Sequence, residues 1–211
     1  MQKMDKALFT AFIVRASAIM DEKKDYLIEL DANLGDGDLG LTMSKGFGKA
    51  REFVEAGSDE PLAKFIMKTG MVFAQHVPST MGTLVASALM KAGKGANGQD
   101  ELDVAGVAEF AAALAQGIME RGKAKVGECT IVDSLYPAGE AFRQAAAQGL
   151  DLPSAAQKAY EAAQAGVEAT KDMEPCYGKA AVFAEKSKGV VDQGAVVGML
   201  IIEALRDACQ A

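Results

Sequence analysis

The chain has no tryptophan, one histidine, three cysteines and five prolines among its 211 residues, and each scarcity closes off a class of protein. Cys129, Cys176 and Cys209 show no CxxC spacing and His76 has no second histidine beside it, so neither a disulfide scaffold nor a cysteine–histidine zinc site is expected. The thiols read as reduced. A single histidine also excludes an internal relay of phosphohistidines, and His76 itself reads as a partly buried residue at a helix end. Long apolar runs are missing too. Ala7 to Val14 is closed by Arg15 and followed by acidic residues, which is too short to span a bilayer and lacks a small-residue cleavage site. A cytoplasmic protein without a membrane partner is expected. Positive charge is the minority sign, with 22 Lys and Arg against 29 Asp and Glu, net −7. Only three bases gather between Arg121 and Lys125, so nucleic acid is not an expected partner.

What remains is enough for one good core. Half of the residues are hydrophobic, and a chain of this size buries roughly 70% of the surface its unfolded form exposes. No linker or repeat divides it, so residues 1–211 are read as a single domain. Apolar residues recur at helical spacing throughout: Leu8, Phe12, Ile19; Met43, Phe47, Ala50, Val54; Leu62, Phe65, Ile66, Phe73; Val107, Phe110, Leu114, Ile118. Further helical patterns cover Thr83 to Ala92, Thr130 to Ala147, Pro153 to Lys171 and Ala195 to Ala208. Strict alternation never persists. Pro61 and Pro153 fall near first turns, and Gly57, Gly93, Gly122 and Gly149 where helices should stop. The fold class is all-α, about eight amphipathic helices in one bundle, with alanine runs that let neighbouring axes approach closely.

The least ordinary segment is Leu30 to Gly40, which sets Asp31, Asp36 and Asp38 among Gly35, Gly37 and Gly40. Three carboxylates so close repel one another unless a cation or hydrogen-bond donors neutralise them. Glycines permit the backbone turns that bring Asp36 and Asp38 to one point, and hard oxygen ligands favour magnesium or calcium. A calcium EF-hand fails, because its sixth loop position would be Asp36 rather than glycine and its twelfth Thr42 rather than glutamate. Magnesium with bound phosphate fits better; an acidic turn with a capping aspartate is the plainer alternative. The loop Val77 to Thr83 precedes a helix, so its hydroxyls and N–H groups are placed to meet a phosphate, or else to form an ordinary capped turn.

These residues carry a resemblance. Gly35-Asp36-Gly37-Asp38 followed by Gly40, Met43 and Gly46-Phe47 resembles the metal motif of the nucleotide-binding L subunits of dihydroxyacetone kinases. Thr69-Gly70-Met71, Gly82-Thr83, Arg121-Gly122-Lys123-Ala124, Gly127, Thr130, Asp133, Gly178-Lys179-Ala180, Glu185-Lys186-Ser187 and Asp192-Gln193-Gly194-Ala195 follow in order over nearly the whole chain. The resemblance implies an antiparallel barrel of eight helices with the site at one end. It makes Asp31, Asp36 and Asp38 the ligands of two magnesium ions, and it implies ADP or ATP as the second cofactor. By the same resemblance Leu39, Gly40, Leu41 and Thr42 meet phosphate at a helix start, and so do Ser79, Thr80, Gly82 and Thr83. Gly122, Thr130 and Ile131 border the adenine, while Lys179, Asp192 and Gly194 approach the nucleotide. No catalytic side chain is assigned. Three departures mark a divergent member: Leu39 where relatives carry histidine, a shorter phosphate loop without paired glycines, and Gln193 where relatives often have proline.

The function so implied is transfer of a phosphoryl group to dihydroxyacetone or a similar small ketose held on a separate K-type subunit. In phosphoenolpyruvate-dependent relatives an M-type phosphohistidine carrier recharges the bound ADP, and a homodimer stays open. A kinase for another sugar or a fatty acyl substrate, a nucleotide sensor without catalysis, and a structural cation site are the competing readings.

Overall fold

The helical apolar rows close into nine α-helices among the described residues, which are 2–33, 35–177, 181 and 187–211 of the computed structural model. They are α1 (Lys6–Glu22), α2 (Lys24–Ala32), α3 (Leu39–Ala56), α4 (Leu62–His76), α5 (Thr80–Gly95), α6 (Val104–Gly122), α7 (Val132–Ala147), α8 (Leu152–Ala169), extended by a short 3-10 turn at Thr170–Asp172, and α9 (Gln193–Gln210). Short polar side chains start many of them. Asp5, Ser79, Asp103, Asp151 and Asp192 accept first-turn N–H groups from Leu8, Gly82, Gly106, Ser154 and Ala195, each such cap being worth about 1 kcal/mol. Gly57 ends α3 with a φ of 74°. Gly93 does not end a helix. It lies inside α5, where a β-carbon would stand 2.8 Å from the carbonyl oxygen of Ala63, so its job is to let α5 and α4 touch.

Neighbour follows neighbour around a closed ring: α1 packs on α3, then α4, α5, α6, α7, α8 and α9 in turn, and α9 returns to α1. From α3 to α8 short connections reverse the chain at each step. This is the eight-helix barrel the resemblance implied. The ninth helix, α2, is packed chiefly on α3 and is not a member of the ring. The apolar rows did not announce it, because it has nine residues, follows α1 after Lys23 alone and buries only Leu27, Leu30 and Asp31.

Aromatic rings fill the ring's interior. Phe9 meets Phe12, Phe65 and Phe110 edge-on at centroid separations of 5.9, 5.9 and 6.3 Å, and Phe47 meets Phe73 at 5.1 Å. In α7, Pro137 has no N–H to give the Asp133 carbonyl. That bared oxygen faces Gly166 of α8, where a β-carbon would come within 2.1 Å of it. Among the described residues no helix is long and apolar enough to cross a membrane.

The alternation of chain direction has one consequence for the site. The N-terminal ends of α3, α5, α7 and α9 converge on one cavity, with the C-terminal end of α6 between them. Four positive dipole ends therefore face the same space.

Candidate functional site

The floor of that space is built around Asp31. It sits in the last turn of α2, 7% exposed, and its Oδ2 accepts the N–H groups of Asp38 at 3.0 Å and Leu39 at 3.3 Å. Gly35 lies against it with no room for a side chain: a β-carbon would stand 2.2 Å from Asp31 Oδ1. Gly37 takes a φ of 73°, a left-handed turn that folds the loop back before α3 begins. As a result Asp31, Asp36 and Asp38 bring one oxygen each to within 4.8 Å of one another. One buried and two exposed carboxylates at that spacing suit a hard divalent cation, which removes their mutual repulsion.

The cavity above them has a volume of about 970 Å³. Asp31, Asp36, Asp38, Leu39, Ser79, Thr80, Thr83, Gly122, Thr130, Ile131, Asp192 and Gly194 all line it, drawn together from both halves of the chain. Four residues expected at the phosphate do not. Gly40 faces α2, where a β-carbon would stand 2.1 Å from the Lys24 carbonyl oxygen. Leu41 is 56% exposed on the outside. The N–H of Thr42 is spent on the Asp38 carbonyl at 2.9 Å. Gly82 turns its Cα toward the Val77 carbonyl, and its N–H is given to Ser79 Oγ at 3.0 Å. The reason is common to all four: helix directions advance about 100° per residue, so part of every first turn faces away from any given space. Lys179, with Gly178, Ala180, Glu185 and Lys186, lies outside the described residues.

Hydroxyl chemistry in the two loops is partly committed. Thr83 Oγ1 donates to the Ser79 carbonyl at 2.8 Å, so its proton is not available to a phosphate. Ser79 Oγ acts as an acceptor in its cap and keeps its own O–H to donate. Thr130 and Asp133 both accept N–H groups at the start of α7. Thr130 Oγ1 accepts the Val132 N–H at 3.2 Å, and Asp133 Oδ2 accepts the Thr130 N–H at 2.7 Å while Oδ1 takes that of Gly127. Buried Asp133 thereby fixes the loop that carries Gly127 to Ile131.

Burial pushes the Asp192 carboxyl up to about 7, against the N–H bonds from Ala195 and Gly194 and with help from the charges of Asp133 and Asp31. Its N–H goes to Thr170 Oγ1 at 2.9 Å, which ties the start of α9 to the end of α8. Burial likewise holds the Cys129 thiol at about 12, with Asp192 and Asp133 adding to the rise, so Cys129 lines the cavity as an inert side chain. Arg121 is the one cationic side chain among the described lining residues.

Several lining residues were missed in the sequence. Met81 and Leu84 share the face of α5 that starts at Thr80, an i, i+3 spacing that was legible. Arg121 adjoins Gly122 and lines the cavity with it. Tyr177, whose hydroxyl donates to the Lys123 carbonyl at 3.0 Å, follows an irregular segment and had no periodic signal. Gln193, a departure from the family pattern, also forms part of the cavity wall.

Comparison with known proteins places this geometry in company. The model of the DAK2 domain matches residues 33–207. The ADP-binding subunit DhaL of the PEP-dependent dihydroxyacetone kinase of Escherichia coli is 29% identical over 194 residues, 92% of either chain. The L-erythrulose kinase of Pectobacterium atrosepticum is 32% identical over 180 residues, which are 83% of this chain but 30% of that protein. The crystal structure of the dihydroxyacetone kinase from C. freundii in complex with AMP-PNP and Mg2+ superimposes with a TM-score of 0.71 at 25% identity, over 98% of this chain and 34% of that one.

Proposed function

The chain belongs to the DAK2-domain family, and from that premise we propose that it is the nucleotide-binding subunit of a dihydroxyacetone kinase. The observation that carries this reading is the meeting of Asp31, Asp36 and Asp38 on the floor of a cavity ringed by four helix N-termini. The three carboxylates would hold two magnesium ions. Magnesium, when bound there, neutralises and polarises phosphate oxygens that the bare aspartates would repel. The chain's own groups divide the rest of the work. The O–H of Ser79 and the start of α5 donate to phosphate, while Met81, Leu84 and Ile131 give the base an apolar wall. Arg121 adds the positive charge.

No histidine or lysine lines the cavity among the described residues, so none of the described lining side chains offers an imidazole or an amine to capture a ketose. We therefore assign that task to a K-type subunit, with an M-type phosphohistidine carrier recharging the ADP. Leu41, Val126 and Tyr177 are 56, 49 and 41% exposed at the cavity end of the barrel, an apolar rim suited to such a partner. The exposed free thiol of Cys176 suits a reducing, cytoplasmic setting.

The test is product formation from dihydroxyacetone by the purified chain with ATP and magnesium, or with a phosphohistidine carrier and ADP, each with and without a K-type subunit. Dihydroxyacetone phosphate should appear only with the K-type subunit and magnesium. Turnover by the chain alone, or in excess EDTA, contradicts the divided, metal-bridged site. Light scattering on the same samples reads whether the chain is a homodimer.

A further inference from the structure

Gln193 is the first residue of α9 and part of the cavity wall. Its Oε1 is the one buried side-chain nitrogen or oxygen without a hydrogen-bond partner among the described residues. A buried acceptor left unpaired costs free energy, and native structures satisfy nearly all such atoms. The oxygen is shielded from solvent, so bulk water does not satisfy it in this position. The residue as a whole is only partly buried and lines the cavity, so its amide stands at the cavity wall.

What would satisfy it is set by its surroundings. A carboxamide oxygen accepts hydrogen bonds and repels phosphate oxygens. The neighbouring Gly194 sits against Asp192, Ile131 and Met81: a β-carbon on it would stand 2.9 Å from Asp192 Oδ2 and 3.2 Å from both the Ile131 N and Met81 Cε. Gln193 thus adjoins a residue packed on Met81 and Ile131, the two side chains assigned above to the base. Resting on the nucleotide reading of this site, we infer that Gln193 reads the nucleoside: its Oε1 accepts a hydrogen bond from a donor on the nucleoside. Two groups supply that chemistry, the exocyclic amine of adenine and the ribose 2′-hydroxyl. A donor that meets an otherwise orphaned acceptor gives more discrimination than one competing with water, because an analogue lacking it leaves the acceptor buried and unpaired.

The experiment compares magnesium-dependent binding of ADP, IDP and 2′-deoxyADP to the full chain by calorimetry. IDP lacks the exocyclic amine, and 2′-deoxyADP lacks the hydroxyl. The wild-type chain should bind one of the two analogues about ten-fold more weakly than ADP, on the scale of one hydrogen bond to a buried group, and the weaker one identifies the donor. Gln193→Met, an unbranched apolar chain of similar length, should reduce that ratio to about two-fold or less by weakening ADP alone. Gln193→Glu keeps an acceptor oxygen and should retain the ratio while binding all three less tightly through charge repulsion. A wild-type chain that separates neither analogue from ADP, or a ratio unchanged in Gln193→Met, overturns the inference alone. Loss of the ratio in Gln193→Glu also overturns it, since the amide would then be acting as a donor. Absence of any magnesium-dependent nucleotide binding overturns the functional reading, and this inference with it.

Discussion

Gly35 and Asp31 are in such close contact that a β-carbon on the glycine would occupy a point 2.2 Å from Asp31 Oδ1 and 2.9 Å from the Asp31 carbonyl oxygen. The glycine's own N–H meanwhile binds that carbonyl. The metal loop is thus molded on a position that tolerates hydrogen only, so Gly35→Ala should displace the Asp31 carboxylate from its shared point with Asp36 and Asp38. Magnesium-dependent ADP binding should fall by at least ten-fold with helical circular dichroism retained, a loss of about 1.4 kcal/mol or more. Unchanged affinity would separate the loop from the ligand.

A pH effect follows from Asp192. An aspartate in an unfolded chain titrates near 3.9, and this one is held at about 7. Between those values the folded state binds more protons than the unfolded one, so the contribution of Asp192 to stability is fully present below about pH 4 and is lost as pH rises through about 7. Asp192→Asn keeps an acceptor for the Ala195 N–H but cannot ionise. Relative to wild type its stability should rise from about pH 4 to 7 and then level off, as urea titrations of metal-free protein would reveal. A difference independent of pH would mean that Asp192 is not so raised.

The contact between α7 and α8 gives a prediction about the scaffold. Gly166 leaves space for the Asp133 carbonyl that Pro137 cannot serve, and a methyl group there would stand 2.1 Å from the oxygen. Gly166→Ala should cost about 1–3 kcal/mol by overpacking, despite the gain in helix propensity that alanine brings on its own. Chemical denaturation decides the sign; a stabilised variant would show that the helices part easily.

Thiol labelling separates the three cysteines. Cys176 is exposed, whereas burial holds the Cys129 and Cys209 thiols at about 12. In native protein at pH 8 one equivalent of an aromatic disulfide reagent should react promptly, at Cys176, and all three cysteines only after unfolding. Rapid reaction at Cys129 would indicate that the cavity wall opens readily.

The barrel was legible because rows such as Val107, Phe110, Leu114 and Ile118 repeat over about three turns, long enough for a 3.6-residue period to stand out. Helix α2 was not, since two buried leucines over nine residues make no period. The aspartates were legible as chemistry: like charges crowded among glycines demand a reason. Which residues of a first turn face the cavity was beyond the pattern. Leu39 lines it, Gly40 backs onto α2 and Leu41 points to solvent, an order fixed by where the first helical turn begins. Tyr177 reaches the cavity through a hydrogen bond to Lys123, a contact across 54 residues that no local signal encodes.

Closure of the ring gives the cavity a dependence on the most distant parts of the chain. Its walls include Asp31, Asp36, Asp38 and Leu39 from one stretch and Asp192, Gln193 and Gly194 from another, and the seam that brings those stretches into one barrel is the packing of α1 on α9. A ligand gripping both walls holds that seam shut. Amide hydrogen exchange along α1 and α9 should therefore slow on binding well beyond the residues in contact, because opening the seam means releasing the ligand. Occupancy of the site and integrity of the barrel are one equilibrium seen from two sides.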